Sequence, residues 1–166
     1  MAFLTSKWII ILVVTLLFIL SFTLKKTVKS EIYIKANKHT VWNVITNTND
    51  YEKWNSVLTL VDGNIGERQK VKYNFTQEEG KQYDVSVVVK KIYQDSILNQ
   101  WGGAKGIITY DHFYLLSEKN KQTKLIIKED YSGLMVLFWS PNKVQKAYDR
   151  LILDIKKQSE HLENNK

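Results

Sequence analysis

A chain of 166 residues with 44% hydrophobic and 25% charged side chains is globular in composition and long enough for one domain plus an appendage. It has no cysteine, which excludes disulfides and thiolate metal sites, and its single proline and seven glycines leave little room for long flexible linkers. The net charge is +7, but Lys7, Lys25, Lys26 and Lys29 flank an apolar run; the other 20 basic residues face 17 acidic ones and form no basic stripe interleaved with aromatics, so nucleic acid is not an expected partner.

Trp8 to Leu24, WIIILVVTLLFILSFTL, carries no charge over 17 residues. As a helix at ~1.5 Å per residue it extends roughly 26 Å, the short end of a bilayer crossing. Phe3 and Leu4 could lengthen it, with Lys7 snorkelling, and Trp8 and Lys25-Lys26 suit the two interfaces. A cleaved signal peptide is the alternative, with Ser21-Phe22-Thr23 as its poor small-x-small site. The expectation is a single-pass membrane anchor with a basic flank over residues 1–29, touching the membrane through residues 8–24. Lys25, Lys26, Lys29, Lys35 and Lys38 follow the span, against Lys7 and the amino terminus before it. That bias predicts a cytoplasmic domain over residues 30–166, with the reverse orientation still open.

Ser30 to Ala36 alternates polar and apolar and reads as a first strand. Asn37 is a candidate N-cap for a helix whose apolar face holds Val41, Trp42, Val44 and Ile45. A second short helix covers Asp50 to Trp54. Strands follow over 57–61, 69–75, 82–93, 97–101, 106–116 and 124–132, with Asp62-Gly63, Gly66 and Gly102-Gly103 as breaks. The last helix opens on Ser140 as N-cap and Pro141 as first helical residue. Val144, Ala147, Tyr148, Leu151, Ile152, Ile155, Ser159 and Leu162 recur at helical spacing along one face, which must lie on a sheet.

The pieces IKANKHTVW, YEKWNS, GIITYDHFYLL and TKLIIKEDYSG carry a resemblance. Ala36, Val41-Trp42, Tyr51, Trp54-Asn55, Gly63, Trp101, Gly106, His112, Tyr114, Thr123, Leu125, Glu129 and Gly133 are similar in order and spacing to the START-like superfamily. Its polyketide cyclase/dehydrase and lipid-transport branch is the one resembled, over roughly residues 30–164. Asn37-Lys38 and Ser56 stand where that family has proline. The resemblance implies an α+β helix-grip fold, a curved antiparallel sheet of six or seven strands wrapped on a long C-terminal helix, here behind an N-terminal transmembrane helix. The family hosts binders, transporters and a few enzymes, so the fold alone assigns no reaction.

A hairpin around Asn120 that pairs Leu116 with Leu125 and Tyr114 with Ile127 sets His112 opposite Glu129, both facing inward. The pair could bind a polar ligand head, serve as a general base, or satisfy itself as a buried polar pair. No P-loop, dinucleotide fingerprint or nucleophile elbow is present, no cofactor is called for, and the three histidines lie on different elements, which argues against a metal. Alternation and the family pattern together put Trp42, Tyr73, Val87, Trp101, Tyr110, His112, Tyr114, Ile127, Glu129, Tyr131, Tyr148 and Ile152 around an internal cavity. Tyr51 and Trp54 either gate its mouth or pack as core. The apolar connection Leu134 to Trp139, with Met135, Leu137, Phe138 and Trp139, is a lid, a membrane-dipping turn or core.

The expectation is a membrane-anchored binder of an apolar or amphipathic small molecule, lipid-like or isoprenoid-like, driven by burial at about 25 cal/mol per Å². Two alternatives stand beside it. One is a cyclase or dehydratase using His112 and Glu129; the other is a protein-interaction module whose inward aromatics fill the centre.

Overall fold

A computed structural model describes residues 2–166; the side chains of residues 2–5 and 20–22 lie outside the described set. Helix α1, Ala2–Thr23, runs directly into strand β1, Lys25–Ile34. Helix α2, Lys38–Thr46, and a 3-10 turn, Thr48–Lys53, precede six strands: β2, Leu58–Gly63; β3, Lys70–Glu78; β4, Lys81–Tyr93; β5, Ile97–Ala104; β6, Ile108–Lys119; and β7, Gln122–Ser132. A second 3-10 turn, Leu134–Leu137, leads to α3, Asn142–Asn164.

The seven strands form one antiparallel sheet in the order β1-β7-β6-β5-β4-β3-β2. β1 returns to the far edge and pairs with β7 along its whole length, from Lys25 opposite Ser132 to Ile34 opposite Thr123. The first strand therefore begins five residues before the expected Ser30, and the basic flank Lys25 to Lys29 belongs to the sheet. Register shifts interrupt β2, β3 and β4 at Leu60/Asp62, Thr76/Glu78 and Val89/Lys91. Each extra residue bends its strand and adds twist, which curls this half of the sheet.

α3 lies across the concave face, against β1, β3 and β7. Its stripe of Val144, Ala147, Tyr148, Leu151, Ile152, Ile155 and Ser159 is buried as its spacing predicts, while Leu162 is exposed. The start of α3 differs from expectation. The helix begins at Asn142, Pro141 stands in the cap position, and no side chain caps it; Gln145 N–H donates to the Pro141 carbonyl at 2.8 Å as the first helical bond. Proline's fixed φ suits either position, so the motif leaves a one-residue ambiguity.

α2 is capped as expected, with Asn37 Oδ1 accepting from the Thr40 N–H at 2.9 Å. The YEKWNS turn sends Tyr51 and Asn55 into the core. Tyr51 is buried, donates its hydroxyl to the Ile45 carbonyl at 2.5 Å, meets Trp54 edge-on at 5.1 Å and stacks on Tyr73 at 6.4 Å. Asn55 Oδ1 accepts from both the Val57 and Leu58 N–H groups, at 2.9 and 2.8 Å, and so aims the chain into β2.

α1 exposes Trp8, Leu12, Phe18 and the apolar residues between them. Among the described residues no helix is long and apolar enough to cross a membrane. The transmembrane span expected over residues 8–24 is therefore not found there, and its part over residues 20–22 lies outside the described side chains. α1 packs on the 3-10 turn Leu134–Leu137 and on β7.

Candidate functional site

The site begins with a two-residue turn. Asn120 and Lys121 both have positive φ, 53° and 60°, the geometry whose twist matches a right-handed hairpin. That turn sets Lys119 opposite Gln122, and counting back along the strands sets His112 opposite Glu129. The alternating burial of β7 turns Leu125, Ile127, Glu129 and Tyr131 toward α3, and β6 answers with Leu116, Tyr114 and His112. The hairpin register expected from sequence is the one observed.

Between this face and α3 lies a cavity of about 200 Å³. Leu58, Phe75, Val85 and Ile108 line it and are only half-buried, so they form its mouth. Val87 and Tyr73 line its wall, and the inner end holds Gln100, His112, Glu129, Tyr131 and Tyr148, with Tyr110 beside them. This volume equals roughly six or seven waters at ~30 Å³ each, and an apolar cavity of about 150 Å³ is enough to hold benzene.

The inner end is a connected polar network. Glu129 Oε2 accepts hydroxyl protons from Tyr131 and Tyr148, each at 2.5 Å. The Tyr148 oxygen lies 3.0 Å from His112 Nδ1. Since Tyr148 has given its only proton to Glu129, it accepts here, which makes Nδ1 the protonated nitrogen of His112. Nε2 is left as a bare acceptor, buried without a partner. Glu129 Oε1 stands 3.7 Å from Nδ1, beyond hydrogen-bond reach. On the neighbouring strand Gln100, opposite His112, donates to the Tyr73 hydroxyl at 3.1 Å.

Burial controls the charges. Removal from water pushes the Glu129 carboxyl up to about 7, although the two tyrosine hydroxyls pull it back. The same desolvation lowers His112 to about 3, so its imidazole is neutral. Tyr110 is pushed up to about 12 by burial and by the Glu129 charge.

Seven of the twelve expected cavity residues line the cavity: Tyr73, Val87, Tyr110, His112, Glu129, Tyr131 and Tyr148. Five do not. Trp42, Tyr114, Ile127 and Ile152 are buried in the core beside it. Trp101 faces the other side of the sheet, in a groove with Lys25, Asp111, Phe113, Lys128 and Asp130. The cause is register: Trp101 pairs with Asp111, while Gln100 and Gly102 pair with His112 and Tyr110 on the cavity side. Gly102 is itself a requirement, because a Cβ there would collide with the Tyr110 hydroxyl and the Ser86 carbonyl that it donates to. Leu58, Phe75, Val85, Gln100 and Ile108 were not expected in the site. Phe75 and Val85 follow from Tyr73 and Val87 by two-residue alternation; the inward Gln100 carries no such signal.

The residues expected at a mouth or lid divide. Tyr51 is core and Trp54 packs on it. Met135, Leu137 and Phe138 are exposed, Phe138 to 79%, and none lines the cavity. Trp139 packs on the cavity residue Tyr131 with ring centroids 4.2 Å apart and planes tilted by 36°, and its carbonyl accepts from Lys26.

No protein-family model matches the sequence, and no curated protein matches it. Solved structures do. The chain is similar to TTHA0849 from Thermus thermophilus at TM-score 0.67 and 12% identity, covering 82% of this chain and 99% of that one. It is similar to the major latex-like protein 151 of Panax ginseng at TM-score 0.66 and 11% identity, covering 84% and 98%. It is also similar to the di-domain ARO/CYC protein BexL from the BE-7585A biosynthetic pathway, at TM-score 0.67 and 8% identity over 82% of this chain and 50% of that one. The chain has the helix-grip fold, which it shares with these structures. At these identities the likeness concerns the fold, and the helix-grip cavity of this chain has to be read from its own residues.

Proposed function

We propose that this helix-grip protein binds an apolar or amphipathic small molecule, lipid-like or isoprenoid-like, in the cavity between its sheet and α3. One observation carries the reading: an apolar mouth of Leu58, Phe75, Val85 and Ile108 leads to a polar inner end of His112, Glu129, Tyr131 and Tyr148. That is the distribution of a site that takes an apolar body and orients it by one polar group. The likeness to BexL, an ARO/CYC protein of a biosynthetic pathway, agrees with a small-molecule role. Native mass spectrometry of the full chain, purified gently from its own cells, tests the reading against the denatured mass. An excess mass lost on denaturation is expected; identical masses together with no uptake of small apolar probes would overturn it.

The second reading is a cyclase-type enzyme, favoured by the likeness to BexL and by the juxtaposition of His112 and Glu129. His112 makes a weak base when burial holds it near 3, and Glu129 Oε2 is already occupied by two hydroxyls. Both features suit holding a ligand better than moving its protons.

We also infer that the domain works beside a membrane. The exposed apolar residues of α1 and the exposed Ile107, Met135, Leu137 and Phe138 support this. These patches adjoin, since α1 packs on the 3-10 turn and Met135 N–H donates to the Ile107 carbonyl at 2.9 Å. The lysines after α1 favour anionic headgroups and a cytoplasmic domain. The chain lacks cysteine, so Phe138→Cys and Tyr83→Cys can each carry one environment-sensitive dye. With phosphatidylglycerol-containing vesicles, the dye at 138 should shift blue and be quenched by spin-labelled lipid, and the dye at 83 should not. Equal, water-like spectra at both positions would end this reading.

A further inference from the structure

The mouth of the cavity and the exposed apolar surface lie at one end of the sheet. One row of the sheet runs Val87, Gly102, Tyr110, Tyr131, Lys26 across five strands. Past that row the strands run out. Ala104 ends β5, Ile108 opens β6, Ser132 ends β7, and Lys25 opens β1 just after α1. The mouth residues belong to this end: Leu58 opens β2, Phe75 lies near the end of β3, Val85 near the start of β4, and Ile108 opens β6. The 3-10 turn is tied to the same place, since Leu134 N–H donates to the Gly106 carbonyl at 3.2 Å and Met135 N–H to the Ile107 carbonyl at 2.9 Å. Ile107, Met135, Leu137 and Phe138 are exposed there, and α1 packs on the turn. The mouth therefore shares its rim with the surface read above as facing the membrane.

The cavity is too small for a long-chain amphiphile. Its volume of about 200 Å³ lies below the roughly 300–1,000 Å³ of sites that enclose a drug-sized ligand. It has room for about six or seven non-hydrogen groups at ~30 Å³ each. Its polarity also has a direction, apolar at the mouth and polar inside. Glu129 Oε1 and Gln100 Oε1 accept no hydrogen bond from the protein and, unlike His112 Nε2, are not sealed from the cavity. Among the described residues no lysine or arginine lines it, so a phosphate or carboxylate head would meet no counter-charge. An acyl chain gains nothing by leaving a bilayer for an equally apolar pocket, because no apolar surface is taken out of water.

We propose that the cavity takes up only the compact, uncharged head of a single-chain amphiphile resident in the bilayer, and leaves its chain in the membrane. The head passes Ile108 and Val85 to reach the polar end, and the chain leaves by the mouth into the surrounding lipid. The protein is then a holder of a lipid head at the membrane surface and does not carry the whole molecule through water. This inference rests on both the binding and the membrane readings above.

Photolabelling of the full chain on phosphatidylglycerol-containing vesicles tests it with two probes, hexadecanol carrying a diazirine at its third carbon or at its fifteenth. A third probe, hexanol with the diazirine at its third carbon, is used without vesicles. Peptide mass spectrometry locates the labels. The head-labelled hexadecanol should mark the strands around Tyr73, Val87 and Tyr131 about tenfold more than the tail-labelled one, the preference that one hydrogen bond in a desolvated place gives. The tail label should fall on α1, on the 3-10 turn and on lipid. Hexanol should mark the same cavity strands as the head label. Cavity labelling by both hexadecanols alike, or more by the tail label, would overturn the proposal, since the chain would then lie inside. Hexanol in the cavity with neither hexadecanol there would also overturn it and would leave the binding reading standing. If none of the three marks the cavity, the binding reading itself falls.

Discussion

Glu129 and His112 face one another across β6 and β7, and burial moves them in opposite directions, to about 7 and about 3. In the unfolded chain Glu129 loses its proton near its ordinary 4.5, while in the fold it holds on until about 7, so its contribution to stability falls as pH rises through that window. The unfolded His112 takes a proton below about 6.5 and the folded one resists until about 3, so its contribution falls as pH drops. Between about 4.5 and 6.5 the two slopes cancel. Removing one partner should expose the slope of the other. Relative to the natural protein, Glu129→Gln should gain stability as pH rises from about 4.5 to 7, by up to about 3 kcal/mol from the size of the shift. His112→Phe should instead lose relative stability as pH rises through about 3 to 6.5. Urea unfolding across this range measures both, and pH-independent differences would show that the pair does not titrate as its burial requires.

At the scale of elements, the β6–β7 hairpin was legible because three signals agree: alternation on both strands, a turn of two residues, and aliphatic pairs that bury only in one register. β5 was not legible. Its inward face is Leu98, Gln100 and Gly102, so size and polarity point the wrong way and make Trp101 look like the cavity residue. The partner strand decides, by setting Gln100 against His112, and a single strand read alone lacks that information. The Gly102-Gly103 pair reads as a break for a similar reason, yet β5 runs through it to Ala104 because Tyr110 needs the space. The link from the YEKWNS turn to β2 rests on one side chain. Asn55→Ala removes the acceptor for two backbone N–H groups and should cost about 1–3 kcal/mol. Thermal unfolding should show the loss with the cavity otherwise intact; an unchanged midpoint would mean that Tyr51 and Trp54 hold the turn without it.

For the whole molecule, α3 packs on β1, β3 and β7, and the cavity lies between it and the inner face of strands β2 to β7. The interaction-module alternative required the inward aromatics to meet at the centre. Tyr114 fills core beside Tyr51, Trp101 leaves for the other face, and the remaining tyrosines line the space and do not close it. The central claim is that a small apolar molecule occupies this space. Naphthalene uptake by the natural chain and by Val87→Phe tests it most directly, with far-UV circular dichroism confirming that the variant folds. Val87 is buried on the cavity wall, and a phenyl ring there takes up the volume the ligand needs. The account predicts saturable binding by the natural protein and its loss in the folded variant; equal binding by both would place the ligand elsewhere and contradict it.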